Sequence, residues 1–339
     1  MYFKKHVINP MFFYIFVNLH KEPFFTNIRL TAVFYKIMRS HTIFSHIHYT
    51  YIITHFFIFN PYNHKGIYTM FIDTHCHINY MIKPTFDAPF PTHFEPLVTT
   101  IIEQAQKHNV SRIVNVGTSM PESEECIRIA QVFPNCWATI GTHPNDLKTD
   151  WMNDIKQYDS WLKKKEFYKI IGIGEIGLDY HYPDYNKQRQ YDACKAQIEL
   201  ALEYDLPIVI HTRDAGMEVL HIIEEFKQNN IHGIIHCFSE DHDFAKFALE
   251  LGFILGIGGT LTYPKNKILR DIFSAVPLTS IVLETDAPFL PPQALRGQKN
   301  HPMNIALIAQ FLATLRGITL EEVGQVTTKT ALKLFNITI

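Results

Sequence analysis

The stretch FIDTHCHI at residues 71–78 decides how this chain is read. An apolar start runs directly into a histidine-rich end. Successive side chains on a strand point to opposite faces, so His75 and His77 share one face and Cys76 takes the other. Two imidazoles on one face can chelate a single ion, whereas Cys76 is expected to be packing. Taken alone His-x-His is a weak signal, but the rest of the chain repeats the arrangement.

Runs rich in Ile and Val recur at 112–118, 136–143, 170–178, 207–212, 233–238, 253–258 and 281–285. Such runs suit strands covered on both faces, as in a parallel sheet. Amphipathic stretches at 97–108, 122–132, 188–204 and 216–227 lie between them. Eight strands alternating with helices predict an α/β fold, a (β/α)8 TIM barrel. Residues 70–339 are close to the roughly 250 residues of one such barrel.

Residues 1–69 have a different composition, with 18 Phe or Tyr, one glycine (Gly66) and one acid (Glu22). They show neither helical nor strand periodicity, and the apolar run at 11–17 is too short to span a bilayer. The expectation is an extension that is disordered or arises from a mis-assigned start, with Met70 as the natural one. A membrane-associating segment is the second reading.

In the whole chain 47% of residues are hydrophobic and 19% charged, enough apolar material for a sizeable core. A net charge of −2 argues against a strong overall grip on nucleic acid, while leaving local basic clusters free to bind phosphate. The five cysteines contain no C-x-x-C pair, which predicts free thiols and a reducing, cytoplasmic location. No stable membrane association is expected, and the sequence names no protein partner.

The polar residues fall where the apolar runs stop. The run beginning at 136 ends in Gly-Thr-His143, that at 170 contains Glu175, and that at 207 ends in His211. His236 and Asp286 stand at the ends of two more. A barrel gathers such ends on one rim, the usual place for barrel active sites. Each residue has a plainer reading: a satisfied core histidine, a solvated glutamate, or a capping aspartate before Pro288. Gly172 and Gly174 are expected to leave space near the axis for Glu175, whose two oxygens could bridge two cations. Buried polar groups need partners, and four histidines with two acids at the ends of five different strands converge most simply on divalent cations.

At these residues the chain resembles the TatD family of metal-dependent deoxyribonucleases, within the amidohydrolase-like, metallo-dependent hydrolase barrels. The resemblance covers roughly residues 71–336. It rests on DTHCH at 73–77, GEIGLDY at 174–180, PIVIHTRDA at 207–215, HCFS at 236–239, LGIGGTLTYPKN at 255–266, LETDAPFL at 283–290 and RGQKN at 296–300. It implies that His75, His77 and Asp286 hold one metal, that His211 and His236 hold a second, and that Glu175 bridges them. It further implies Asp286 as base for the attacking water, and His143 as a contact to substrate phosphate or an aid to proton transfer. Two divalent ions are implied, Mg as the working ion with Mn or Zn as alternatives. The chain departs from the family pattern at Asn79 (usually acidic), Glu240 (usually Gly) and His301 (usually Glu).

A phosphodiester suits a two-metal site. Arg213, two residues after His211, could clamp a phosphate bidentately, or pair with Asp214 or another rim acid. Lys265, Lys267, Arg296 and Lys299 are placed in late loops near the mouth, with solvated surface charge as the plainer reading. Tyr180, Tyr182, Phe238 and Phe289 could stack on bases or shape the pocket wall. The expected activity is hydrolysis of DNA ends or single strands by an exonuclease. The alternatives are an amidohydrolase on a small-molecule amide or aminoacyl ester, and a barrel that binds without catalysis.

Overall fold

The computed structural model describes residues 70–338, so the expectations for residues 1–69 fall outside the described residues. Eight strands pair in chain order and every ladder is parallel: β1 (Phe71–Cys76), β2 (Val110–Val116), β3 (Cys136–Ile140), β4 (Ile170–Asp179), β5 (Ile208–Arg213), β6 (Gly233–Ile235), β7 (Ile254–Ile257) and β8 (Ile281–Leu283). The ring closes between β1 and the segment after β8. There Cys76 bridges Ala287, Asp286 N donates to the His75 carbonyl at 2.8 Å, and His77 N donates to the Ala287 carbonyl at 2.7 Å. Asp73 adds a side-chain clasp: Oδ1 accepts from Thr285 N (3.0 Å) and Oδ2 from Thr285 Oγ1 (2.6 Å). The fold is the expected (β/α)8 barrel.

Helices connect the strands, and several start where the sequence offers a cap. Asn186 accepts from Arg189 N ahead of Lys187–Glu203, Asp241 from Phe244 N ahead of His242–Glu250, and Thr319 from Glu322 N ahead of Leu320–Leu334. Gly317, in the left-handed conformation at φ 66°, ends Ile305–Arg316. Buried apolar faces of these helices pack on the outer surface of the sheet.

A second apolar cluster joins Ile72, Val114, Val209, Ile234 and Val282 to Phe335 and Ile337. Side chains from β1, β2, β5, β6 and β8 can meet only across the lumen, so this cluster fills the barrel interior. Phe335 and Ile337 follow the last helix and lie with residues from strand beginnings, which leaves the opposite rim for polar groups. No single helix among the described residues is long and apolar enough to cross a membrane.

Several strands stop earlier than the apolar runs suggest. The ladders of β3, β6 and β8 end at Ile140, Ile235 and Leu283, before His143, His236 and Asp286. Cys237 and Asp286 have φ of 44° and 56°, left-handed values that a strand does not carry. Even so, each ligand candidate beyond a strand end keeps a backbone bond to a neighbour. His143 N donates to the Thr118 carbonyl (2.7 Å) and His236 N to the Ile210 carbonyl (2.9 Å).

Candidate metal centre

The rim at the strand ends brings His75, His77, Glu175, His211, His236 and Asp286 together, with His143 at the edge. Glu175 occupies the middle. Its Oε2 lies 3.4 Å from His75 Nε2 and 4.0 Å from His77 Nε2. Its Oε1 lies 2.9 Å from His211 Nδ1 and 3.7 Å from His236 Nε2. Asp286 Oδ1 completes the first group, 3.3 Å from His77 Nε2 and 3.8 Å from His75 Nε2. The two oxygens of one carboxylate therefore face different histidines, and the two sets adjoin, since the His75 ring stacks on that of His236 at 3.4 Å. His143 Nε2 stands 3.7 Å from Glu175 Oε1, and its ring meets that of His211 edge-on at 4.3 Å.

Backbone geometry enforces this convergence. Glu175 N donates to the Gly117 carbonyl at 2.9 Å. Gly174 does not open space on the axis as expected; a Cβ there would come within 2.5 Å of Val209 Cβ, so its role is the close approach of β5. Gly177 acts likewise, since its Cβ would fall 2.0 Å from the His211 carbonyl oxygen. The two strands that carry Glu175 and His211 are thus held in tight contact.

The outer nitrogens of three histidines are tied to acceptors. His77 Nδ1 is hydrogen-bonded to the Val116 carbonyl at 2.8 Å and His211 Nε2 to Asp179 Oδ2 at 3.1 Å, while His236 Nδ1 lies 2.9 Å from Glu284 Oε1 as a charge contact without hydrogen-bond alignment. A neutral imidazole that donates outward keeps its lone pair on the inner nitrogen. Those inner lone pairs point at carboxylate oxygens, an arrangement that requires a cation or a proton between them. Histidine backed by a carboxylate or carbonyl is the usual support of a metal ligand. The donor set, imidazole nitrogens with two carboxylates, suits a divalent transition ion or magnesium. The residues therefore fit divalent metal binding.

Burial opposes charge at Glu175, yet His236, His211 and His75 outweigh it and hold the carboxyl well below its usual range. Asp286 is likewise lowered, burial being overcome by His77 and His236. His236 is pushed up to about 10: burial works against this, but Glu284 and Glu175 prevail. His143 falls to about 3 through burial and the neighbouring His211. Two anionic carboxylates beside His77, His211 and His236, whose protonation those carboxylates favour, form a cluster in which a cation displaces protons.

Asp179 and Glu284 were not singled out from the sequence, although both lie inside its strand-end motifs. Glu284 is fully buried, accepts from Cys237 N at 2.5 Å, and fits only because position 256 is glycine, where a Cβ would meet its Oε2 at 2.3 Å. The usable signal was a second acid next to each candidate ligand strand.

Other expected residues scatter. Arg213 is exposed on the rim, its guanidinium carbon 5.7 Å from the Tyr182 ring, and no ion pair to it occurs among the described residues. Asp214 instead pairs with His181 at 2.7 Å. Lys267 is spent on Asp271 one helical turn away, and Arg296 lies over Tyr263. Lys265 and Lys299 are exposed. Phe238 cannot stack on a base, because it is buried against Phe244 and Phe273. Tyr180 donates to Glu218 and stacks on Tyr185, whereas Tyr182 and Phe289 reach solvent. Of the departures, Asn79 is buried and donates to Glu125, which also pairs with the buried Lys83 at 2.8 Å. His301 caps a short turn by accepting from Met303 N and stays outside the cluster. Burial and the nearby Asp241 raise the Glu240 carboxyl.

Comparison with known proteins agrees with this geometry. The TatD related DNase family matches residues 72–336. The uncharacterized metal-dependent hydrolase YabD of Bacillus subtilis is 33% identical over 269 residues, covering 79% of this chain and 100% of that protein. The 3'-5' ssDNA/RNA exonuclease TatD of Citrobacter rodentium is 30% identical over 244 residues, 70% of this chain and 92% of that one. Among solved structures, the TatD homologue YJJV of Escherichia coli K12 aligns with a TM-score of 0.72 at 28% identity, covering 80% of this chain and 100% of that one. A barrel of eight parallel strands, a histidine and carboxylate cluster on its rim and a match over nearly all of the described chain make this protein a member of the TatD family of metal-dependent hydrolases.

Proposed function

We propose that this chain is a nuclease of the exonuclease type, acting on DNA ends or single strands. The observation that carries the reading is the division of Glu175 between two groups of histidines, Oε2 toward His75 and His77, which Asp286 also meets, and Oε1 toward His211 and His236. In this reading His75, His77 and Asp286 hold one divalent ion, His211 and His236 hold another, and Glu175 bridges them. Magnesium is the expected working ion, with manganese or zinc as substitutes. When bound, the pair supplies an activated water and neutralises charge on the scissile phosphate. Asp286, held anionic, takes the proton of the attacking water. His143, neutral near pH 7, contacts the substrate phosphate or passes the proton on. Arg213, exposed and without an acidic partner among the described residues, clamps a phosphate. Similarity to the ssDNA/RNA exonuclease of Citrobacter rodentium supports a nucleic-acid substrate, and the five free thiols support a cytoplasmic site of action.

One observation favours the amidohydrolase reading, on a small-molecule amide or aminoacyl ester. Asp146 stands 3.9 Å from His143, and burial with Glu122 and Glu175 nearby pushes its carboxyl up to about 6. An acid there discourages a polyanion. Incubation of purified protein with Mg, Mn or Zn and end-labelled single-stranded DNA separates the two readings. Stepwise shortening by wild type and not by Glu175→Gln supports the nuclease; intact DNA with every ion, beside hydrolysis of an amide or aminoacyl ester, rejects it.

A further inference from the structure

The half of the centre that holds His77 and Asp286 is bordered by aromatic rings that the proposed chemistry does not use. Phe289 donates its backbone N–H to the Asp286 carbonyl at 2.8 Å and sets its ring 5.9 Å from that of His77. Tyr80 flanks the same imidazole at 5.5 Å. Phe86 closes the group, 5.4 Å from Phe289 and 5.3 Å from Tyr80. Phe86 is 51% exposed and Phe289 36%, so two large apolar faces stand in water beside a cluster of candidate metal ligands. Scattered exposed apolar residues need no explanation, but a contiguous pair at a site does.

Loose loop structure does not account for the exposure of Phe86. It sits in a turn closed by Ala88 N donating to the Thr85 carbonyl, and the chain beyond is anchored. Phe94 is buried, Phe90 packs against the core, and the Arg128 guanidinium lies 4.7 Å from the Phe90 ring and 5.4 Å from that of Phe94. Two phenylalanines of this segment hold it in place while the third is held out at the rim.

We propose that Phe86 and Phe289 form a stacking platform for the unpaired terminal nucleobase of a single-stranded nucleic acid, a proposal that rests on the nuclease reading above. A ring face accepts any base, so the platform is sequence-tolerant. It requires a base whose own face is free, which a paired and stacked duplex interior does not offer. The platform and Arg213 are carried by different loops, after β1 and β8 on one side and at the end of β5 on the other. The scissile phosphate is then flanked by a seated base and a clamped phosphate.

The test compares metal-loaded wild type, Phe86→Ala and Phe86→Trp on two single-stranded oligonucleotides. These differ only in whether the residue at the attacked end carries a base or is abasic. Wild type is expected to lose about ten-fold in kcat/KM on the abasic end, mainly through KM. Phe86→Ala should show that loss on the normal end and no further loss on the abasic one, and Phe86→Trp should restore the difference. A Phe86→Ala enzyme that still discriminates as wild type does overturns the platform and leaves the nuclease reading standing. Cleavage of neither oligonucleotide by wild type with Mg, Mn or Zn overturns both.

Discussion

Asp179→Asn isolates the support of one metal ligand from the ligand itself. The carboxylate has three donors around it: His211 Nε2 at 3.1 Å and Asn145 Nδ2 at 2.8 Å on Oδ2, and His181 N at 2.9 Å on Oδ1. An asparagine has one oxygen. If that oxygen faces His211, the amide nitrogen meets the His181 N–H, donor against donor. If it faces His181, the amide nitrogen meets His211 Nε2 and drives the ring to the other tautomer, placing a proton on Nδ1, the atom 2.9 Å from Glu175. Either outcome weakens His211 as a ligand without removing it. Changes in such outer partners typically cost about 10- to 100-fold in metal affinity. That corresponds to roughly 1.4–2.8 kcal/mol. Manganese titration in competition with a chelator should therefore show one weakened site and one near wild type, because His75, His77 and Asp286 lie on the other oxygen of Glu175. Activity should recover at high metal concentration. Unchanged affinity at both sites, or a loss that excess metal does not restore, would refute the assignment of His211 and its partner.

The same residue makes a pH prediction. The Asp179 carboxyl is held down to about 2, below the ordinary 3.8 of an aspartate: burial raises it, but the His211 contact and the His181 N–H prevail. A depressed acid stabilises the fold above pH about 4 and loses that contribution as pH falls toward 2, so Asp179→Asn should flatten the melting curve's pH dependence in that window, measured with chelator present. Glu175→Gln should lower metal content at both sites by more than the ~100-fold typical of an outer partner, read by elemental analysis after dialysis; retention of both ions would contradict the bridge. Arg213→Ala should reduce kcat/KM on an oligonucleotide by about 10- to 100-fold and leave a neutral ester unaffected; equal losses on both would show a structural role instead. Asp73→Ala should destabilise the apo fold by about 2–4 kcal/mol in urea titration, since it strands the buried Thr285 N–H and hydroxyl; a change within 0.5 kcal/mol, about the scatter of neutral surface substitutions, would mean β1 and β8 close without that clasp.

The sequence by itself determined the barrel. Buried parallel strands must be apolar on both faces, so β4 and β5 read as continuous Ile and Val runs, and the helical stretches between them leave little choice of topology. It also marked the six candidate ligands, because a His or Glu that ends such a run conflicts with its surroundings unless something meets it. Only the tertiary structure decided which nitrogen of each imidazole faces inward. That choice belongs to Val116, Asp179 and Glu284, residues far in sequence from the rings they orient, at distances that linear spacing does not encode. The same holds for Gly174, whose purpose is the approach of Val209, and for Phe86 against Phe289, which lie 203 positions apart and touch because the barrel closes β1 onto β8. Local pattern fixes which groups are available; closure of the ring fixes which lone pairs and faces oppose each other.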